Sequence, residues 1–121
     1  MSYVLLMDDC NLNQEMLAEE LHTQGILCIP VSTVEDALQY ITDAPPGLII
    51  IEPLAINGQA FGFYQQLQNN PRTRRIPTLM LTAASRGELK RFTRTSRGRI
   101  TCMSKPYKIS AVLSAVHQMA A

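Results

Sequence analysis

The apolar residues of this chain fall into two kinds of run that alternate from end to end. Short unbroken runs, Tyr3–Met7, Ile26–Val31, Leu48–Ile51, Ile76–Leu81 and Ile100–Ser104, predict strands covered on both faces. Between them, apolar positions recur at helical spacing. Val34, Ala37, Leu38 and Ile41 keep the i, i+3, i+4, i+7 pattern. The helix after the first strand carries Leu12, Met16, Leu17 and Leu21, expected on one side. Shorter helices are predicted around Phe61–Gln68 and Arg86–Arg97, the second with only Leu89 and Phe92 as an apolar face. A final helix from about Ser110 aligns Ile109, Val112, Leu113 and Val116.

The punctuation agrees. Asn11 or Asn13 can cap the first helix, and Gly25 can end it. Ser32 or Thr33 can cap the second, with Glu35 or Asp36 completing a capping box. "APPG" stops that helix and "NNP" the third. Pro30 sends the second strand to a sheet edge.

Five strands alternating with five helices, with no linker or repeat between them, predict one α/β domain over residues 1–121. Its strands form a parallel sheet with helices on both faces. In such sheets the site lies at the carboxyl ends of the strands. Those ends carry Asp8 and Asp9, then Glu52, then Thr82, then Lys105. Three carboxylates converging on one mouth repel one another unless a cation offsets them. Asp8, Asp9 and Glu52 are therefore candidate ligands for Mg²⁺, which takes carboxylates, water and phosphate oxygens. Lys105 can neutralise a phosphoryl group, and the Thr82 hydroxyl can hydrogen-bond one of its oxygens.

The stretches "LLMDD", "LIIIE", "IPTLMLTA" and "SKPY" are together similar to the receiver domain of two-component response regulators. The resemblance covers essentially the whole chain. It implies a flavodoxin-like, doubly wound, five-stranded parallel sheet in the order 2-1-3-4-5, and a role in phosphorelay signalling. It assigns Asp8 and Asp9 to the metal-binding pair, Thr82 to the phosphoryl-contacting hydroxyl, Lys105 to the phosphate-binding lysine and Pro106 to a cis-peptide proline. The phosphoacceptor of the family is an aspartate that attacks a phosphohistidine; here the position holds Glu52.

Two more departures accompany it. The loop "PLAINGQAFGF" is longer than the family pattern and opens on Pro53, and the aromatic switch position three before the lysine is Cys102. An extra methylene moves a carboxylate by roughly 1.5 Å, and a misplacement of about 1 Å can cost on the order of a hundredfold in rate. The longer arm also carries charge toward the phosphoryl position, within reach of Lys105 and of a hydrogen bond from Thr82. The expectation is a pseudo-receiver, with Glu52 a built-in partial mimic of the phosphorylated state and Mg²⁺ binding weakened or absent. The alternatives are Glu52 as an inert ion-pair partner of Lys105, a working phosphorylatable receiver, and a flavodoxin-like cofactor binder. The last would want a glycine- or hydroxyl-rich loop after the first strand, where "MDDCNLN" offers acids.

Composition narrows the partners. All eleven Lys and Arg lie between Arg72 and Lys108, and nine of the ten acids lie at or before Glu52. Lys90, Arg94 and Arg97 recur at i, i+4, i+7 with Arg91 beside them, forming a cationic stripe on the fourth helix. An acidic protein or a second receiver, docking on the helix-four to helix-five face, is the partner expected from this. No helix-turn-helix or aromatic-interleaved basic motif points to nucleic acid. The sequence has no signal-peptide pattern and no membrane-length apolar run. The odd, widely spaced cysteines, Cys10, Cys28 and Cys102, suit reduced, mostly buried thiols. With no Cys–His or Ser–His pair in evidence, the reading is a cytoplasmic, non-enzymatic signalling module.

Overall fold

The computed structural model describes residues 3–94, 96 and 98–120. Strands β1 (Val4–Met7), β2 (Cys28–Val31), β3 (Leu48–Ile51), β4 (Thr78–Thr82) and β5 (Ile100–Ser104) alternate with helices α1 (Asn11–Thr23), α2 (Val34–Asp43), α3 (Gln59–Gln68), α4 (Arg86–Thr93) and α5 (Ile109–Ala120). All strand pairs are parallel, in the order β2-β1-β3-β4-β5. This is the doubly wound flavodoxin-like architecture.

The unbroken apolar strands are explained by two separate core layers. Side chains alternate across a strand, so Leu5, Met7, Ile49, Ile51 and Met80 pack with Ala37, Phe63 and Phe92 of α2, α3 and α4. Val4, Leu6, Leu48, Ile50 and Leu79 pack with Leu17, Leu21, Val112 and Val116 of α1 and α5. Fully burying each Leu or Ile contributes about 1.5–3 kcal/mol, so every position in β1 and β3 has a reason to be apolar. β2 and β5 are the edges, and Pro30 stands exposed on β2.

Several boundaries follow the sequence. Thr33 caps α2 by accepting the Asp36 N–H at 3.0 Å, and Gly25 takes the left-handed φ of 78° that ends α1. α4 begins on a Ser85–Glu88 capping box.

Other expectations need correction. Asn11 and Asn13 both lie inside α1; Cys10 is at its N-cap, with no side-chain cap bond. Leu12 and Met16 do not join Leu17 and Leu21 in the core: they are 65% and 47% exposed. The buried stripe of α1 is instead Gln14, Leu17, Ala18 and Leu21, a run with ideal helical spacing that contains a polar residue. α4 stops at Thr93 with Arg94 as its C-cap. The predicted end, Arg97, lies outside the described residues. No described helix is long and apolar enough to cross a membrane.

Candidate functional site

Strand register assembles the site. Met7 of β1 is level with Ile51 of β3, so Asp8 and Glu52 leave the sheet together, tied by the Glu52 N–H to the Met7 carbonyl at 2.9 Å. Thr82 of β4 is level with Ser104 of β5, and the Lys105 N–H donates to the Thr82 carbonyl at 2.9 Å. Asp8, Glu52 and Thr82 are all buried.

Lys105 is the hub. Its Nζ lies 2.8 Å from Asp8 Oδ2 and 3.4 Å from Glu52 Oε1. Burial by itself would lower the ammonium pKa. The hydrogen bond and charge of Asp8, and behind them those of Glu52, outweigh it and hold Lys105 above the ordinary lysine value. Asp8 Oδ1 accepts the Cys10 N–H at 3.1 Å. Glu52 is bound at both oxygens: Oε1 also accepts the Ala83 N–H at 3.3 Å, and Oε2 accepts the Leu54 N–H at 3.4 Å. The buried Gln14 amide donates to the Asp8 carbonyl, which explains its place in the core stripe of α1.

Thr82 does not bond Glu52 as expected. Its hydroxyl accepts the Ala84 N–H at 3.0 Å, turning toward the loop that leaves β4, and the glutamate takes the Ala83 amide instead.

Asp9 stands apart from the other three. Its Oδ2 and Oδ1 accept one donor, the Ile56 N–H, at 2.9 and 3.0 Å. Ile56, Asn57 and Gly58 follow one another at φ of 56°, 53° and 84°. Left-handed backbone is ordinary for glycine and tolerable for asparagine, but strained for a β-branched residue. The longer loop after β3 therefore turns through a left-handed run, with the Asp9 carboxylate holding its first amide. Pro53 is buried at the start of this loop, where its carbonyl accepts the Phe61 N–H at 3.1 Å.

The three carboxylates that the sequence offers to Mg²⁺, Asp8, Asp9 and Glu52, are divided between two partners. Asp8 and Glu52 share the ammonium, and Asp9 faces a backbone amide. Among the described residues no group of three or more His, Cys, Asp or Glu is placed to hold a metal ion.

On β5, Cys102 is partly buried, and burial pushes its thiol pKa up. It packs against the same core layer as Tyr64, a fully buried ring from α3 whose hydroxyl hydrogen-bonds Ser96. The Lys105–Pro106 peptide is cis. Beside the site, a cavity of about 420 Å³ is lined by Asn13, Met16, Lys105, Tyr107 and Ile109. Lys90, Arg91 and Arg94 are exposed on and just beyond α4; Arg97 of the same stripe lies outside the described residues.

Sequence reasoning therefore located Asp8, Glu52, Thr82 and Lys105 and missed the donors around them. The amides of Ala83, Leu54 and Ile56 belong to the backbone and leave no residue signal. Gln14 left one, a polar residue in phase with Leu17, Ala18 and Leu21.

No family model matches the sequence, and no curated protein does. Solved structures do match in fold. The signal receiver domain of a signal transduction histidine kinase from Syntrophus aciditrophicus superposes with a TM-score of 0.85 at 22% identity, over 99% of this chain and 90% of that one. A chemotaxis protein from Vibrio cholerae gives 0.84 at 21% identity, over 98% of each chain. A two-component response regulator from Clostridium difficile gives 0.83 at 19% identity, over 98% of this chain and 95% of that one. At these identities the likeness establishes the fold.

Proposed function

We propose that this chain is a two-component receiver-like signalling module of the pseudo-receiver kind, acting through protein–protein contact. The observation that carries this reading is the engagement of Glu52. One of its oxygens meets the Lys105 ammonium and the Ala83 amide, and the other meets the Leu54 amide.

In-line attack on phosphorus needs a carboxylate oxygen free to advance, and counter-charge free to meet the incoming phosphoryl oxygens. Here the lysine that would supply the charge is already shared by two carboxylates. Glu52 itself takes the donors that a phosphoryl group on a shorter side chain would seek. It is a resident, partial stand-in for that group; Thr82 stays outside the arrangement. Asp9 holds the following loop through the Ile56 amide. The output is carried by a surface, and the exposed basic stripe of Lys90, Arg91 and Arg94 suits an acidic protein partner.

Incubation with a phosphohistidine donor protein and Mg²⁺, followed by intact-mass measurement, tests this reading. The chain is expected to gain no phosphoryl group. Stoichiometric phosphorylation at Glu52 would establish the other reading, a working receiver.

A further inference from the structure

The charge asymmetry of the sequence becomes a spatial one in the fold. α2 and α4 cover the same face of the sheet at opposite edges, α2 toward β2 and α4 toward β5. With five strands in the sheet, the edges stand roughly 19 Å apart at about 4.8 Å per strand. Glu35, Asp36 and Asp43 of α2 are exposed at one edge. Lys90, Arg91 and Arg94 are exposed at the other.

The basic end continues below α4. Arg75 precedes β4 and Arg99 precedes β5, and both are exposed. The two loops are joined by the Thr78 N–H to Arg99 carbonyl bond at 2.9 Å. Among the described residues none of these charges is ion-paired: both ion pairs belong to Lys105.

The acidic edge also has a receptive shape. A cleft of about 490 Å³ opens between the end of β2 and α2, lined by Pro30, Ser32, Asp36, Gln39, Tyr40 and Asp43. Tyr40 is 40% exposed there, and Asp43 Oδ1 is steadied by the Gln39 amide at 3.0 Å. A ring beside two carboxylates suits a guanidinium, which can stack on the one and pair with the others.

We infer that the basic α4 edge of one copy docks on the acidic α2 edge of the next, giving a salt-sensitive head-to-tail assembly. This deepens the reading of the basic stripe as a docking surface by naming a second copy of this chain as its occupant. Two different patches meet, so the contact is heterologous, and unless its rotation closes a ring it grows as an open chain. A net charge of only +1 leaves little overall repulsion to oppose it. Exposed ion pairs are individually weak and screened by salt, so the assembly is expected to be dynamic and concentration-dependent.

The test is sedimentation of the full chain across a concentration series, in low salt (about 20 mM) and high salt (about 500 mM). The mass is expected to climb past two copies at low salt, and the association constant to fall roughly tenfold or more at high salt. K90E/R91E/R94E and D36K/D43K should each stay monomeric alone and associate when mixed. A monomer at every concentration overturns the inference, as does a plateau at two copies, or single-edge variants that assemble like wild type.

Polyglutamate keeps the two readings apart. Salt-sensitive binding of polyglutamate to a wild type that stays monomeric, lost in K90E/R91E/R94E, leaves the docking face standing and removes only the second copy as its occupant. Loss of both self-association and polyglutamate binding removes the docking face as well. Tighter binding to duplex DNA than to polyglutamate overturns the choice of a protein partner.

Discussion

Asp9 closes its carboxylate on the amide of Ile56, 2.9 and 3.0 Å from its two oxygens, and so ties the end of β1 to the loop after β3. Asp8 faces Lys105 and Asp9 secures a strained turn, so adjacent residues of the same type have different tasks.

Asp9→Ala should free that turn. The Ile56 amide loses a charged acceptor, and the left-handed run from Ile56 to Gly58 loses its anchor. A destabilisation of about 1.5–3 kcal/mol is expected in urea unfolding, with faster amide exchange confined to the segment 53–59. Unchanged exchange at Ile56 would mean that the bond does not hold the loop.

Lys105→Met should cost more. It leaves Asp8 and Glu52 buried side by side with no cation between them, and breaking a buried pair costs about 3 kcal/mol or more. The pH dependence has a definite sign. The Lys105 pKa is raised in the folded protein, so its contribution is complete below the unfolded lysine value of about 10.4 and fades as pH rises through the folded value. The stability gap between wild type and Lys105→Met should stay constant from neutral pH to about 10 and narrow only above it. Narrowing near neutral pH would contradict the raised pKa.

The thiols should separate by reactivity. Cys28 is buried and its pKa is pushed up to about 12, whereas Cys10 is exposed at the α1 N-cap. A disulfide reagent at neutral pH should modify Cys10 promptly and Cys28 only at the rate of unfolding. The sequence suggested mostly buried cysteines; Cys10 departs because α1 starts immediately after it, on the surface.

Gly98→Ala should destabilise the basic end of the sheet. A Cβ at Gly98 would press into the backbone carbonyl of Arg74, where no flexible side chain can yield. A loss of about 1–3 kcal/mol is expected by thermal or urea unfolding, with Gly98→Ser no better.

What the sequence made legible follows from which interactions recur along it. β1 and β3 were visible because a two-sided core demands apolar residues at every position, and Asp8, Glu52, Thr82 and Lys105 because strand ends converge in a parallel sheet. The fate of Asp9 was not visible: its partner is a backbone amide forty-seven residues away, and although Asn57-Gly58 signals a left-handed turn, the bonded amide belongs to Ile56 just before it. Ile56 is the reverse of a left-handed signal. Thr82 accepts the Ala84 N–H because the loop leaving β4 presents an amide two residues on, a local backbone contact with no residue signal. Leu12 and Met16 are apolar but out of helical phase with Leu17 and Leu21, whereas Gln14, with an acceptor at the Asp8 carbonyl, is in phase with them.

The Glu52 carboxylate already takes the Lys105 ammonium and the amides of Ala83 and Leu54. The direct measurement is the amide spectrum of the wild type titrated with Mg²⁺ and beryllofluoride, a phosphoryl mimic, with Glu52→Gln as reference. The Ala83 and Leu54 resonances are expected to stay in place during the titration and to move on Glu52→Gln, as the charge that polarises them is removed. Saturable shifts at Thr82, Ala83 and Lys105 in the wild type on adding the mimic would contradict this engagement of Glu52.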